Sequence, residues 1–200
     1  VCHESELPEP DRFRTTTIAG VPILVVRDKE GEIHALANSS ERRPSGKIEL
    51  EVGFLDMPEF LHCDVKFGGF VWVTLNDNPP SIEEWVDGSF DCMKESLNEE
   101  PLDVFHYHKA IIPCNFKLWH DTNSEFYHDY LHYHNRITGF NDSYFARENK
   151  CFNNGHVNVG SFEVQYDNYD GFESREELSF PHLPTNHWEM IDMFPGINFN

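Results

Sequence analysis

Pro113 to Gly139 reads PCNFKLWHDTNSEFYHDYLHYHNRITG and packs four histidines and several carboxylates into one short segment. From Asp121 the chain runs without proline or glycine to Thr138, a helix-compatible length that Gly139 closes at a natural C-terminal stop. The apolar AIIPCNFKLW before it reads as a strand. On such a helix His128 and His132 stand four residues apart, so both imidazoles project from one face. Their Cβ atoms are about 6 Å apart there, close enough to share a metal. His134 is turned by roughly 240° from His128, onto another face. Glu125, three residues before His128, returns to the metal face as a ligand or as acceptor of an imidazole N–H; Asp121, one turn earlier, suits the second task.

Two imidazoles and a carboxylate on one side of an ion, with open positions opposite, make the ligand set of non-heme Fe(II) oxygenases. The spacing alone does not choose the metal. Zinc sites use it too, and a solvated helix carries paired histidines with no metal at all. No G-x-G-x-x-G, P-loop or G-x-S-x-G motif and no internal repeat competes for the reading.

The run Asn115-Phe116-Lys117-Leu118, then Asp121, Glu125-Phe126-Tyr127-His128 and His132, resembles the catalytic-domain motif of Rieske non-heme iron oxygenases, the large (alpha) subunits of aromatic-ring-hydroxylating dioxygenases. The resemblance implies that His128 and His132 bind a mononuclear Fe2+. It implies that Glu125 links the first histidine to the Rieske cluster of a neighbouring subunit. The four-residue histidine spacing departs from the commoner five. The third iron ligand of that family, an aspartate, lies beyond the part matched here; Asp129, Asp142 and Glu189 are open alternatives for a carboxylate.

Val1 to Asn38 resembles the opening of the Rieske domain of the same family, through HESELPEP, RTTTIAG and PILVVRDKEGEIHAL. Family members then carry Cys-x-His-Arg. Here Ser39-Ser40-Glu41-Arg42-Arg43 follows, so Ser40 and Arg42 stand where a thiolate and an imidazole belong, and the second pair, Cys-x-x-His, is missing. A [2Fe-2S] Rieske cluster needs two of each, and serine with arginine supplies neither. The expectation is therefore that this polypeptide holds no cluster. The pairs Cys2-His3 and His62-Cys63 read as ordinary residues, as does the alternation of His106 and His108 with Phe105 and Tyr107.

Around these motifs the chain alternates strands and turns. VPILVVRDKEGEIHALAN predicts a hairpin turning at Asp28 to Gly31. KFGGFVWVTL (Lys66 to Leu75) predicts a strand entered through Gly68-Gly69, and NDNPPS a turn. Ile82 to Asp87 is amphipathic, and a boundary is expected near residue 88. Val104 to Leu118 reads as one or two strands broken by Pro113, and strands are also expected over His156 to Tyr166 and Trp188 to Phe194. The predicted architecture is α+β: residues 1–88 an all-β Rieske-like remnant, residues 89–200 the first part of a helix-grip catalytic domain, a long helix across an antiparallel sheet.

The formal net charge of −20 argues against nucleic acid or an anionic membrane surface as partner. No stretch nears the roughly 20 apolar residues of a membrane helix, and VCHESELPEP is not a signal peptide, so a cytoplasmic location is expected. Five scattered cysteines, an odd number, do not make a disulfide framework. By resemblance the partners are an aromatic small molecule and O2, a ferredoxin or reductase as electron donor, and further copies of the chain or a small subunit. The chain is then expected to be an incomplete oxygenase component, inactive alone. A non-catalytic ligand-binding or accessory subunit of the same descent is the alternative, and a zinc hydrolase on His128 and His132 a third.

Overall fold

The computed structural model describes residues 1–37, 45–47, 60–97, 101–125, 131–132, 148–163 and 187–199. The chain divides into two compact units, Val1–Ile82 with Glu99–Lys109, and Glu83–Asn98 with Ala110–Asn200.

The first unit is a seven-stranded antiparallel sheet of β1 (Cys2–His3), β2 (Arg12–Ile18), β3 (Val21–Arg27), β4 (Ile33–Ala37), β5 (Ser45–Lys47), β6 (Phe60–Lys66) and β7 (Phe70–Thr74), in the spatial order β1-β7-β6-β4-β3-β2-β5. The hairpin expected at Asp28 to Gly31 joins β3 to β4, with Val26 opposite His34. Its turn is tied by Asp28, whose Oδ1 accepts from Glu32 N at 2.8 Å and whose Oδ2 lies 2.7 Å from His34 Nε2. That bond to His34 holds the Asp28 carboxyl below its usual range.

β3 is apolar without alternation because both its faces are covered. Ile23 and Val25 join Leu7, Ala35 and Val71 in one core cluster, while Leu24 and Val26 join Phe13 and Leu36 in another. β6 shows the opposite pattern. Leu61, Cys63 and Val65 turn inward while Phe60, His62, Asp64 and Lys66 are exposed, the period of two that a half-buried strand requires. The strand predicted from Lys66 begins at Phe70; Phe67, Gly68 and Gly69 form the turn between β6 and β7, all with positive φ. At Gly69 glycine is also a spatial necessity. A Cβ there would stand 2.7 Å from both His3 Nε2 and Glu4 Oε1.

The segment 101–109 lies along this unit with no regular structure: Val104 N donates to Ser5 Oγ at 3.1 Å, and the Arg14 guanidinium lies 5.7 Å from the Tyr107 ring centre.

The second unit holds the short helices α1 (Ile82–Val86) and α2 (Lys94–Leu97), the longer α3 (Phe116–Glu125), and a four-stranded antiparallel sheet β11-β10-β9-β8 made of β8 (Lys150–Cys151), β9 (Val157–Glu163), β10 (His187–Met193) and β11 (Ile197–Phe199). Among its described residues Val86, Phe90, Met93, Val159, Met190, Ile191 and Met193 are buried and apolar, and Phe90 stacks edge-on against Phe199.

Two expectations for residues 104–138 are corrected. The strands predicted over Val104 to Leu118 do not form: residues 101–115 are irregular, and Phe105 and Ile111 are almost fully exposed. A strand needs a neighbour to take its backbone groups, and Pro113 supplies no donor. The helix begins at Phe116 rather than Asp121, because Asn115 caps it; its Oδ1 accepts from Lys117 N at 2.9 Å, and its carbonyl accepts from Trp119 N. Nor does one α-helix run to Thr138. Leu131 and His132 lie outside any α-helix, in keeping with the weak helix propensity of Tyr, His, Asp and Asn, which crowd residues 127–135.

Candidate metal centre

Asp121 is exposed on α3, and Glu125 is the last residue of that helix, its side chain outside the described residues. His132 is exposed and His128 lies outside the described residues, as do Ser40 and Arg42. The structure therefore places Asp121 and Glu125 of the motif on one helix, four residues apart. Among the described residues no group of three or more His, Cys, Asp and Glu side chains is arranged to hold a metal.

The donors of the first unit answer whether a Rieske cluster suits it. Its described cysteines are Cys2 on β1 and Cys63 on β6, and burial pushes both thiols up, Cys63 to about 11. Its described histidines within the sheet are engaged elsewhere. His3 is buried; its Nε2 donates to Gly68 O at 2.6 Å and its Nδ1 accepts from Ser5 N. His34 faces Asp28, and His62 Nε2 donates to Asp77 O at 3.1 Å. These donors do not fit a two-thiolate, two-imidazole cluster.

Among the described residues, one buried polar cluster lies outside every motif of the sequence. In the second unit Asp192, 1% exposed on β10, has its Oδ2 3.0 Å from Nδ1 of His120 on α3. The His120 ring also meets the edge of Phe194 at 5.6 Å between centres. His156, wholly buried at the start of β9, donates from Nε2 to Trp85 O at 3.0 Å, while its Nδ1 has no hydrogen-bond partner among the described residues. Burial lowers the His156 pKa, the bond to the Trp85 carbonyl opposing it and the nearby His120 adding to it. One signal in the sequence was available. In WEMIDMF, Asp192 stands two residues from both Met190 and Phe194, an acid where the period of two of a buried strand calls for an apolar residue.

No protein-family model matches the chain. Individual relatives do. The α subunit of a methanesulfonate monooxygenase hydroxylase from Methylosulfonomonas methylovora is 50% identical across 99% of this chain and 59% of its own length. The α subunit of a 2-aminobenzenesulfonate 2,3-dioxygenase from an Alcaligenes species is 28% identical, over 100% of this chain and 60% of its own. The first alignment runs over 243 positions against the 200 residues present here, so several tens of positions in that relative have no counterpart within this chain. In fold, the quaternary ammonium Rieske monooxygenase CntA matches with a TM-score of 0.72 at 17% identity, and naphthalene 1,2-dioxygenase with 0.71 at 14%; the chain covers 60% and 59% of them. The chain is a homologue of the α subunits of Rieske non-heme iron oxygenases and spans about three fifths of their length.

Proposed function

We propose that this chain is part of an O2-dependent oxygenase component whose mononuclear ferrous iron is held by His128 and His132, with Glu125 accepting an N–H from one of the two imidazoles. The observation that carries the reading is the motif Asn115 to Leu118, Asp121, Glu125 to His128 and His132, set within an alignment that runs at 50% identity through 99% of the chain. Ferrous iron bound by these residues would supply the activation of dioxygen. The chain's own residues supply the rest: two imidazole donors to one side of the ion, a carboxylate that fixes a ring through its second nitrogen, and exposed Asp121 one turn earlier on α3. Asp129, Asp142 and Glu189 remain the candidates for a third ligand.

The described cysteines and sheet histidines of the first unit do not suit a Rieske cluster, so electrons are proposed to come from a separate iron-sulfur protein or reductase. Two relatives are named for sulfonate substrates. A small organic sulfonate is accordingly the proposed substrate class, with an aromatic ring as the broader one.

Metal content decides the reading. Protein purified without chelators should carry about one iron per chain, lost in His128→Ala with His132→Ala. Protein with no iron in either form would favour the second reading, a non-catalytic accessory subunit, which the unsuited cluster donors of the first unit already favour over a self-sufficient enzyme.

A further inference from the structure

The first turn of α3 and the chain leading into it carry apolar side chains into solvent. Ile111 is 94% exposed, Leu118 63%, Ile112 53%, Phe116 52% and Trp119 46%, all within the second unit. One side of the helix is accounted for. Phe116 and His120, four residues apart, both meet the Phe194 ring, at 6.3 and 5.6 Å between centres. Leu118 is turned by about 160° from His120, so the contact that docks α3 on Phe194 leaves Leu118 facing away from it. A surface helix keeps its outer face polar, and a helix with apolar side chains on opposite faces is one that something covers on both.

At about 200 Å² for a large side chain, these five leave roughly 600 Å² of apolar residue surface open. That is the upper end of what a monomer exposes in one patch, about 300–600 Å², and it approaches the roughly 800 Å² that each partner gives to a stable interface. Two observations choose the occupant. The relatives' α subunits carry about two fifths of their length outside their alignment with this chain, which is ample polypeptide to cover such a face. A second copy is opposed by charge, because each chain carries −20 and two such chains repel as they approach.

We infer that residues 110–119 are an internal interface of the oxygenase α subunit, covered by the two fifths of the polypeptide that the relatives carry outside the aligned part. Nothing in this placement depends on an iron at His128 and His132. The test puts this chain in place of the aligned part of the methanesulfonate monooxygenase hydroxylase α subunit, keeping the rest of that protein, and compares the joined protein with the chain alone. In hydrogen-exchange mass spectrometry, peptides from 110–119 exchange at least tenfold more slowly in the joined protein, a larger change than peptides from β10 show. Leu118→Asn leaves the urea midpoint of the chain alone unchanged, because that side chain is exposed, and lowers the midpoint of the joined protein. Equal exchange of 110–119 in the two proteins overturns the inference, as does an equal response to Leu118→Asn. Self-association of the chain alone in a concentration series of sedimentation runs, with protection of 110–119 as it associates, gives the face to a second copy and overturns it too. The relative's intact α subunit, exchanged in parallel, has no engineered junction, and fast exchange in its stretch aligned with 110–119 is sufficient to overturn the inference.

Discussion

Cutting Ile23 or Leu24 to alanine, one at a time, should destabilise the first unit by similar amounts although the two side chains point to opposite faces of β3. Ile23 is 0% exposed and Leu24 2%, and they belong to separate core clusters. Each substitution removes three buried carbons, about 2.4 kcal/mol at about 0.8 kcal/mol per carbon. The cavity left behind raises the cost into the range of about 2–5 kcal/mol, a large part of the roughly 5–15 kcal/mol that holds a domain together. Urea unfolding, followed by hydrogen exchange of peptides from residues 12–37, measures both losses. A Leu24→Ala cost below about 0.5 kcal/mol, the size of a surface change, would refute the reasoning, for it would mean that the second face of β3 is open to water.

Acid should weaken the second unit through His156. Its pKa is lowered in the folded chain by burial, so the unfolded chain binds the extra proton first; stability is complete above about pH 6.5 and falls as pH drops below it, and a His156→Gln variant should flatten that slope in a pH series of melting temperatures. Gly69→Ala should cost more than Gly31→Ala: φ is +95° and +94°, but only at Gly69 does the new Cβ meet His3 and Glu4. Backbone strain of about 1–3 kcal/mol is common to both, and thermal melts read the difference. In thiol titration with an aromatic disulfide at pH 8, exposed Cys114 and Cys151 should react first, while Cys63, its thiol pushed up to about 11, should be slow; equal rates for Cys63 and Cys114 would contradict the burial of β6.

Much of the first unit could be read from residues alone, because its signals are local. The turn DKEG between two β-branched runs named the β3–β4 hairpin, and GHVNVGSFE named β9 to within a residue at its start. β6 escaped because its apolar residues are spaced by exposed His62 and Asp64, and β5 because three residues carry no period. The helix starts earlier than expected for one reason: Asn115 is its N-cap, its Oδ1 accepting from the backbone N of Lys117, a position that asparagine favours. The site divides in the same way. Spacing pointed to Glu125, His128 and His132, but no periodicity joins His120 to Asp192, 72 positions apart in the chain, and only tertiary contact makes them a pair.

β1 is made well before its partner β7 and docks late. Val1 N donates to Val71 O, 70 residues along the chain, and Cys2 and His3 pair with Val71 and Phe70. The sheet therefore cannot be completed from its N-terminal end as the chain is synthesised. β2, β3 and β4 can pair as soon as they emerge, while β1 waits for β7, and a contact so distant in sequence places its closure among the slow steps of folding. Until then the edge of β7 is an open template, and the order of assembly, rather than the strength of the finished sheet, governs how much chain escapes aggregation.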